Sequence, residues 1–227
     1  MNLVHVANFD GENDLDIHGR TTIMHKMYSR IETTAIRIGS DTFELSAYGV
    51  YAHNGVEGAD PNSMTLAGYP IVHSKSNKKD NWFDIILSPT SNITIGNHKD
   101  IVNLKFVHTF QMFKDLEISG LMGNVHGQML ARDGKTDLSD DMVAFGQEWQ
   151  VRPDEEPMLF RAARAPQYPQ KCVMPDMEAK EARRLGEGIT EEAAKAACSQ
   201  FTGASFEACV YDVTATNDLE QAENGIY

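Results

Sequence analysis

Two cysteines carry the plainest chemistry in this 227-residue chain. Cys198 and Cys209 stand eleven positions apart, on either side of Gly203. Two short antiparallel helices meeting near that glycine would bring the sulfurs together, and a disulfide would then staple a small helical hairpin. Two buried thiols at helical core positions are the alternative. Cys172 makes the cysteine count odd, which in a disulfide-type protein points to a partner that is missing or lies on another molecule. With no Cys-x-x-Cys in the chain, zinc binding and dithiol redox work are not expected.

Catalytic signatures are harder to find. The eight histidines (His5, His18, His25, His53, His73, His98, His108 and His126) form no His-Glu-x-x-His and accompany no Gly-x-Ser-x-Gly. Surface and strand-end positions are expected for them. Glycan hydrolysis needs two carboxyl groups about 5 to 9.5 Å apart across a cleft. Asp84 and Glu148 are formal candidates for a carbohydrate-processing β-sandwich, yet nothing in the sequence pairs them. The reading adopted is therefore not an enzyme. Asn92-Ile-Thr94 is a glycosylation sequon, relevant only to a secreted chain and placed in an apparent strand.

The elements that must position these residues are mostly β. Thr34-Ala-Ile-Arg-Ile-Gly39 alternates apolar and polar, and Thr42-Phe-Glu-Leu-Ser46 repeats the pattern after a turn at Ser40-Asp41. That is a hairpin with Ile36, Ile38, Phe43 and Leu45 on one face. Further strands are expected at Trp82–Leu87, Asn92–Ile95, Ile101–Val107 and Asp115–Ser119, separated by Gly, Asn, Asp and Pro turns. The whole suggests an antiparallel β-sandwich over residues 1–152. Gly58-Ala-Asp-Pro61 reads as a proline-initiated turn. Residues 153–176 hold five prolines and read as an extended strap, with Phe160 and Tyr168 as its anchors. Residues 177–227 read as a cysteine-containing helical tail. In it Glu178–Leu185 forms one helix, Thr190 caps a second that runs to Phe201, and Ser205–Val213 forms a third.

Composition narrows the class. The net charge is −13 and the hydrophobic fraction 41%. A normal core is available, and the acidic balance disfavours nucleic-acid backbones and anionic membranes. The mean hydropathy is −0.38, and no stretch approaches the roughly 18 apolar residues of a membrane span. The first residues, Met1 to Phe9, have neither the basic nor the apolar region of a signal peptide.

One region carries a family pattern. Glycines crowd around an asparagine in Gly120-Leu-Met-Gly-Asn-Val-His-Gly127. Arg132-Asp-Gly134 follows, then Asp140-Asp141, then Phe145-Gly-Gln-Glu-Trp149. In that order these landmarks resemble the late strands and loop of a von Willebrand factor type D domain. Phe9–His18 and Ile31–Gly39 resemble that module's second and third strands. The resemblance is greatest to secreted members from diatoms and related microalgae, through Ala131–Gly134, Phe145–Val151, Pro166–Pro169 and Cys209–Val213. It spans nearly the whole chain.

The resemblance implies an extracellular structural or adhesive module of a matrix or cell-surface protein, partnered by other extracellular proteins or by copies of itself. It implies calcium as the cofactor, held by Asn124, Asp133, Asp140 and Asp141, because hard cations collect carboxylate, amide and carbonyl oxygens. Two departures stand out. Met122 occupies a position that is cysteine in many members, and His126 stands where many place aspartate. The family's opening Gly-Asp-Pro-His, short strand and cysteine are not seen, so the module is expected to be N-terminally truncated, with Cys172 deprived of a partner. The opposing expectation is an acidic intracellular partner-binding module, which would keep its thiols reduced.

Overall fold

The computed structural model describes residues 1–24, 28–74, 80–152, 159–161 and 188–224. Helix Glu178–Leu185, Tyr168, Cys172 and most of the proline-rich strap lie outside the described residues. The chain divides into two compact units, residues 1–22 with 31–172, and residues 23–30 with 173–227.

The first unit is an antiparallel β-sandwich. Its strands are β1 (Asn2–Val6), β2 (Leu15–Met24), β3 (Tyr28–Ile38), β4 (Asp41–Ser46), β5 (Tyr51–His53), β6 (Val56–Glu57), β7 (Thr65–Leu66), β8 (Tyr69–Ser74), β9 (Trp82–Ser88), β10 (Ser91–His98), β11 (Ile101–Val107) and β12 (Ile118–Ser119). One sheet has seven strands in the order β12-β1-β2-β3-β4-β5-β6, the other five in the order β11-β10-β9-β8-β7.

The alternation in the sequence is what makes two layers. Ile36 and Ile38 of β3, Phe43 and Leu45 of β4, Phe83 and Ile85 of β9, and Ile93 and Ile95 of β10 are all fully buried in one continuous core. Each such side chain contributes about 1.5–3 kcal/mol by leaving water. The Phe43 and Phe83 rings meet at 4.8 Å across the core, and Phe83 lies 4.9 Å from Tyr51. The β3–β4 register pairs Ile38 with Asp41, so the tight turn sits at Gly39-Ser40, one residue earlier than the pattern suggested. Gly39 supplies the positive φ (58°) that the turn requires. The expected strand from Asp115 shrinks to Ile118–Ser119. Asp60 caps a short 3-10 turn at Pro61–Ser63, in keeping with the proline-initiated turn expected there.

Residues 120–152 differ more from expectation. After Gly120 the chain runs through turns, with one isolated bridge between Leu130 and Asp137. Phe145–Trp149 is not a strand. Met142–Glu148 forms a helix (α2; α1 is Thr109–Phe113) because the Asp141 carboxylate accepts from the Ala144 N–H at its start. Phe145 and Trp149, a turn apart, are thereby buried on the same side.

The second unit contains the helical tail. Thr190 caps α3 (Glu191–Ala197), its hydroxyl accepting from the Ala193 N–H, and Glu191 and Glu192 occupy the favourable first turn. Then come α4 (Gly203–Thr216) and α5 (Gln221–Asn224). Cys198 and Cys209 form a disulfide, with 5.9 Å between their Cα atoms. Both are fully buried beside Ala194, Val213 and Ala222. No helix among the described residues is long and apolar enough to cross a membrane.

Candidate functional site

The polar residues of the sandwich gather on the outward face of β1, β2 and β3. Val4, Val6, Leu15, Ile17, Ile36 and Ile38 point into the core, so the residues between them, His5, Asp16 and Arg37, point outward. Strand register does the rest: His5 is the cross-strand partner of Ser119 on one side and of Asp16 on the other. A row Ser119–His5–Asp16 results, extended by Arg37.

The row is tightly bonded. His5 Nδ1 lies 2.6 Å from one Asp16 carboxylate oxygen, and the Arg37 guanidinium donates to the other. Arg37 also donates to the Gly39 carbonyl at 3.2 Å. A carboxylate can only accept from an imidazole, so the proton of neutral His5 sits on Nδ1 and Nε2 is the acceptor.

A second layer comes from residues 130–150. Arg132 donates through Nε to the Glu148 carbonyl and through Nη2 to the Gln150 carbonyl, both at 2.8 Å. Its guanidinium lies 5.1 Å from the Trp149 ring centroid. The Trp149 indole donates to the Leu130 carbonyl at 3.1 Å, and the Trp149 carbonyl accepts from the Asn2 N–H at 2.7 Å. Between these layers lies a cavity of about 330 Å³, lined by His5, Asp16, Arg37, Ser119 and Arg132, with Asn2, His18 and Trp149 completing the wall.

Burial sets the protonation states. His18 is pushed down to about 3, chiefly by desolvation and then by the N-terminal ammonium, Arg132 and His5. Burial also lowers His5, followed by opposing contributions from Asp14 and Glu117, which raise it, and from Arg37 and Arg132, which lower it. Both imidazoles are neutral at pH 7, leaving two guanidinium groups and one carboxylate as the lining's formal charges.

The residues expected to hold calcium are not brought together in this cavity. Asn124 Oδ1 accepts from the His126 and Gln128 N–H groups, and its amide donates to the Gln128 side chain. Asp133 accepts from the N–H groups of Lys135 and Thr136 and from the Thr136 hydroxyl; that last bond leads the group of hydrogen bonds holding Asp133 at about 2. Asp141 caps α2, and Asp140 is exposed. Among the described residues, Asp133, Asp140 and Asp141 belong to no group of three or more His, Cys, Asp or Glu side chains close enough to share an ion. A calcium ion there would have to displace these local caps, so the donor set does not fit a ready-made cage.

Asn92, Thr94 and Asp84 lie together on the outward face of β9 and β10. The Asn92 amide donates to Asp84 at 2.9 Å and to Thr94 at 2.8 Å, while Thr94 donates to Asp84 at 2.5 Å. The sequon amide is thus engaged within β10, next to a register shift between Ser91 and Asn92. Glu148 accepts from the Arg132 N–H and from Arg152, both at 3.1 Å. Asp84 and Glu148, the formal pair of carboxylates, each belong to a separate network. Phe160 anchors the described piece of the strap: its ring lies 4.6 Å from the Arg20 guanidinium and 6.4 Å from the His18 ring. Next to it Arg161 reaches Glu44 and Glu57.

The cavity itself was not foreseen from sequence. His5 looked like one scattered histidine among eight. The available signal was that His5, Asp16 and Arg37 are each a polar residue flanked by apolar ones in a strand. Nothing local says that those three positions are neighbours.

Among known proteins, no family model matches this chain, and no curated protein matches it.

Proposed function

We propose that this chain is a structural module of an extracellular matrix or cell-surface assembly, built like a von Willebrand factor type D domain and partnered by other extracellular proteins or by copies of itself. The observation that carries this is the Cys198–Cys209 disulfide, buried in the core of the helical tail. Disulfides persist in oxidising compartments and are rare in the cytosol. The antiparallel sandwich with its acidic surface is consistent with such a scaffold, and the order of landmarks from Gly120 to Trp149 supports the kinship. The deciding experiment is peptide mass mapping of natively isolated protein, with and without reduction. A Cys198–Cys209 crosslinked peptide is expected; free thiols at both positions would sink the extracellular reading in favour of an intracellular partner-binding module.

Calcium is the weaker part of this proposal. Asn124, Asp133 and Asp141 must exchange their turn-capping bonds for metal bonds, so binding belongs in the millimolar class of extracellular modules. With Kd about 1 mM, 10 mM calcium adds roughly 1.4 kcal/mol of stability. Thermal melts with calcium and with a chelator measure this. Unfolding by the chelator would show a far tighter site than these residues offer.

A further inference from the structure

We infer that residues 129–150 form a lid over the outward face of β1–β3, closed at neutral pH and released by acid through His18. This goes beyond the scaffold proposal and does not rest on it.

The lid is bonded within itself. The Leu138 N–H donates to the Met129 carbonyl and the Ala131 N–H to the Thr136 carbonyl, both at 2.8 Å. Arg132 grips the Glu148 and Gln150 carbonyls, and the Trp149 indole reaches the Leu130 carbonyl. The two ends of the segment are thereby tied into one piece. Phe145 and Trp149 are buried, yet among the described residues they lie outside the core cluster of the sandwich. Lifting the segment therefore leaves the main core packed, as expected of a unit that opens locally. The Asn2 N–H, donating to the Trp149 carbonyl at 2.7 Å, ties the lid to β1. Beneath it lies the cavity of about 330 Å³, walled by Arg132 and Trp149 from the lid and by His5, Asp16, His18 and Arg37 from the sheet.

His18 is the trigger. It follows Asp16 on the outward face of β2, across from Asn2, and is buried under the lid. Burial first, then the N-terminal ammonium, Arg132 and His5, hold it deprotonated. Arg20, on the same strand, lies over the neighbouring Phe160 ring. The two carboxylates of the site are engaged, Asp16 with His5 and Arg37, and Glu148 with the Arg132 N–H and Arg152. A proton on His5 is met in place by Asp16, with Asp14 and Glu117 favouring it and Arg37 and Arg132 opposing it. A proton on His18 is solvated by raising the lid, which also carries Arg132 away from the new charge. The open form thus binds a proton that the closed form refuses, so falling pH favours opening. With His18 at its ordinary basicity in the open form, the opening constant grows roughly a hundredfold between pH 7.5 and 4.5.

The test is hydroxyl-radical footprinting of the full chain, read by mass spectrometry at pH 7.5 and 4.5 and constant ionic strength. Oxidation of Trp149 is expected to rise about tenfold or more at pH 4.5, while Phe43 and Phe83 in the core stay protected. His18→Gln, which has no titrating ring, is expected to keep Trp149 protected at both pH values. Should that variant fail to fold, NMR titration of the unaltered chain decides: the His18 ring must gain its proton over the pH range in which Trp149 becomes exposed. The inference is overturned by equal Trp149 oxidation at both pH values, by Trp149, Phe43 and Phe83 rising together, by full acid exposure of Trp149 in folded His18→Gln, or by a His18 that protonates while Trp149 stays protected. Disulfide mapping and this footprinting succeed or fail independently.

Discussion

A single histidine illustrates how burial acts at the scale of one residue. His18 is 2% exposed, and its folded pKa of about 3 lies well below the ordinary 6.5. Between those values the unfolded chain binds a proton that the folded chain refuses, so protonation favours unfolding. The His18 contribution is fully present above pH 6.5 and is lost as pH falls from there toward 3. His5, also lowered, acts in the same direction. Urea midpoints are therefore expected to fall between pH 7 and pH 4.5, and His18→Gln should flatten that slope. An unchanged slope in the variant would show that other groups carry the acid sensitivity. Sequence could name the titrating residue but not its environment. The depression comes first from burial, with the Phe160 ring 6.4 Å away, and then from the N-terminal ammonium, Arg132 and His5, which the folded sandwich brings near it.

At the scale of elements, two glycines show what a strand sequence conceals. Gly96 faces Trp82 across the β9–β10 pair, and a Cβ placed there would come within 2.1 Å of the indole. The ring therefore lies directly over the strand. Gly96→Ala is expected to destabilise by about 1–3 kcal/mol, the usual cost of overpacking, seen as a lower melting temperature. A matching loss of Trp82 order should appear in near-ultraviolet circular dichroism. Gly120 is stricter: its φ is 127°, and a Cβ would meet the Leu3 carbonyl oxygen at 2.5 Å. The strands around Ile36, Phe43, Phe83 and Ile93 were legible because alternation reports burial directly. The helix at Met142–Glu148 was not. Seven residues interrupted by Gly146 give little periodicity, and the family pattern suggested a strand. The Asp141 cap and the burial of Phe145 and Trp149 together decided the outcome.

At the scale of the whole molecule, each unit has its own means of holding together. The sandwich relies on one large core, while among the described residues the helical tail buries only Ala194, Val213 and Ala222 around its disulfide. Closing a loop of this size removes roughly 2–3 kcal/mol of unfolded-chain entropy, a large share of what so small a core can supply. The double variant Cys198→Ala/Cys209→Ala should melt the tail first. Far-ultraviolet helix signal and hydrogen-exchange protection in α3 and α4 are expected to fall while β3, β4, β9 and β10 stay protected. Simultaneous loss of both would show instead that the units unfold as one. The disulfide was readable from two cysteines and a glycine because local helix signals fixed the geometry. The pocket of Ser119, His5, Asp16 and Arg132 was not, since it depends on strand order, and strand order is a property of the closed sandwich.

The joining of Asn2 to Trp149, and of Asn2 and Leu3 to Leu121 and Met122, has a consequence for synthesis. A ribosome makes the amino end of β1 more than a hundred residues before its last neighbour. A nascent chain halted after Val107 holds every strand of the five-stranded layer, yet β1 has only β2 beside it. During that interval the future pocket face has no roof, and His5, Asp16 and Arg37 are open to solvent. Completion of the first layer is thus a late event set by translation, and a chaperone that recognises unsealed strand borders has its opportunity there.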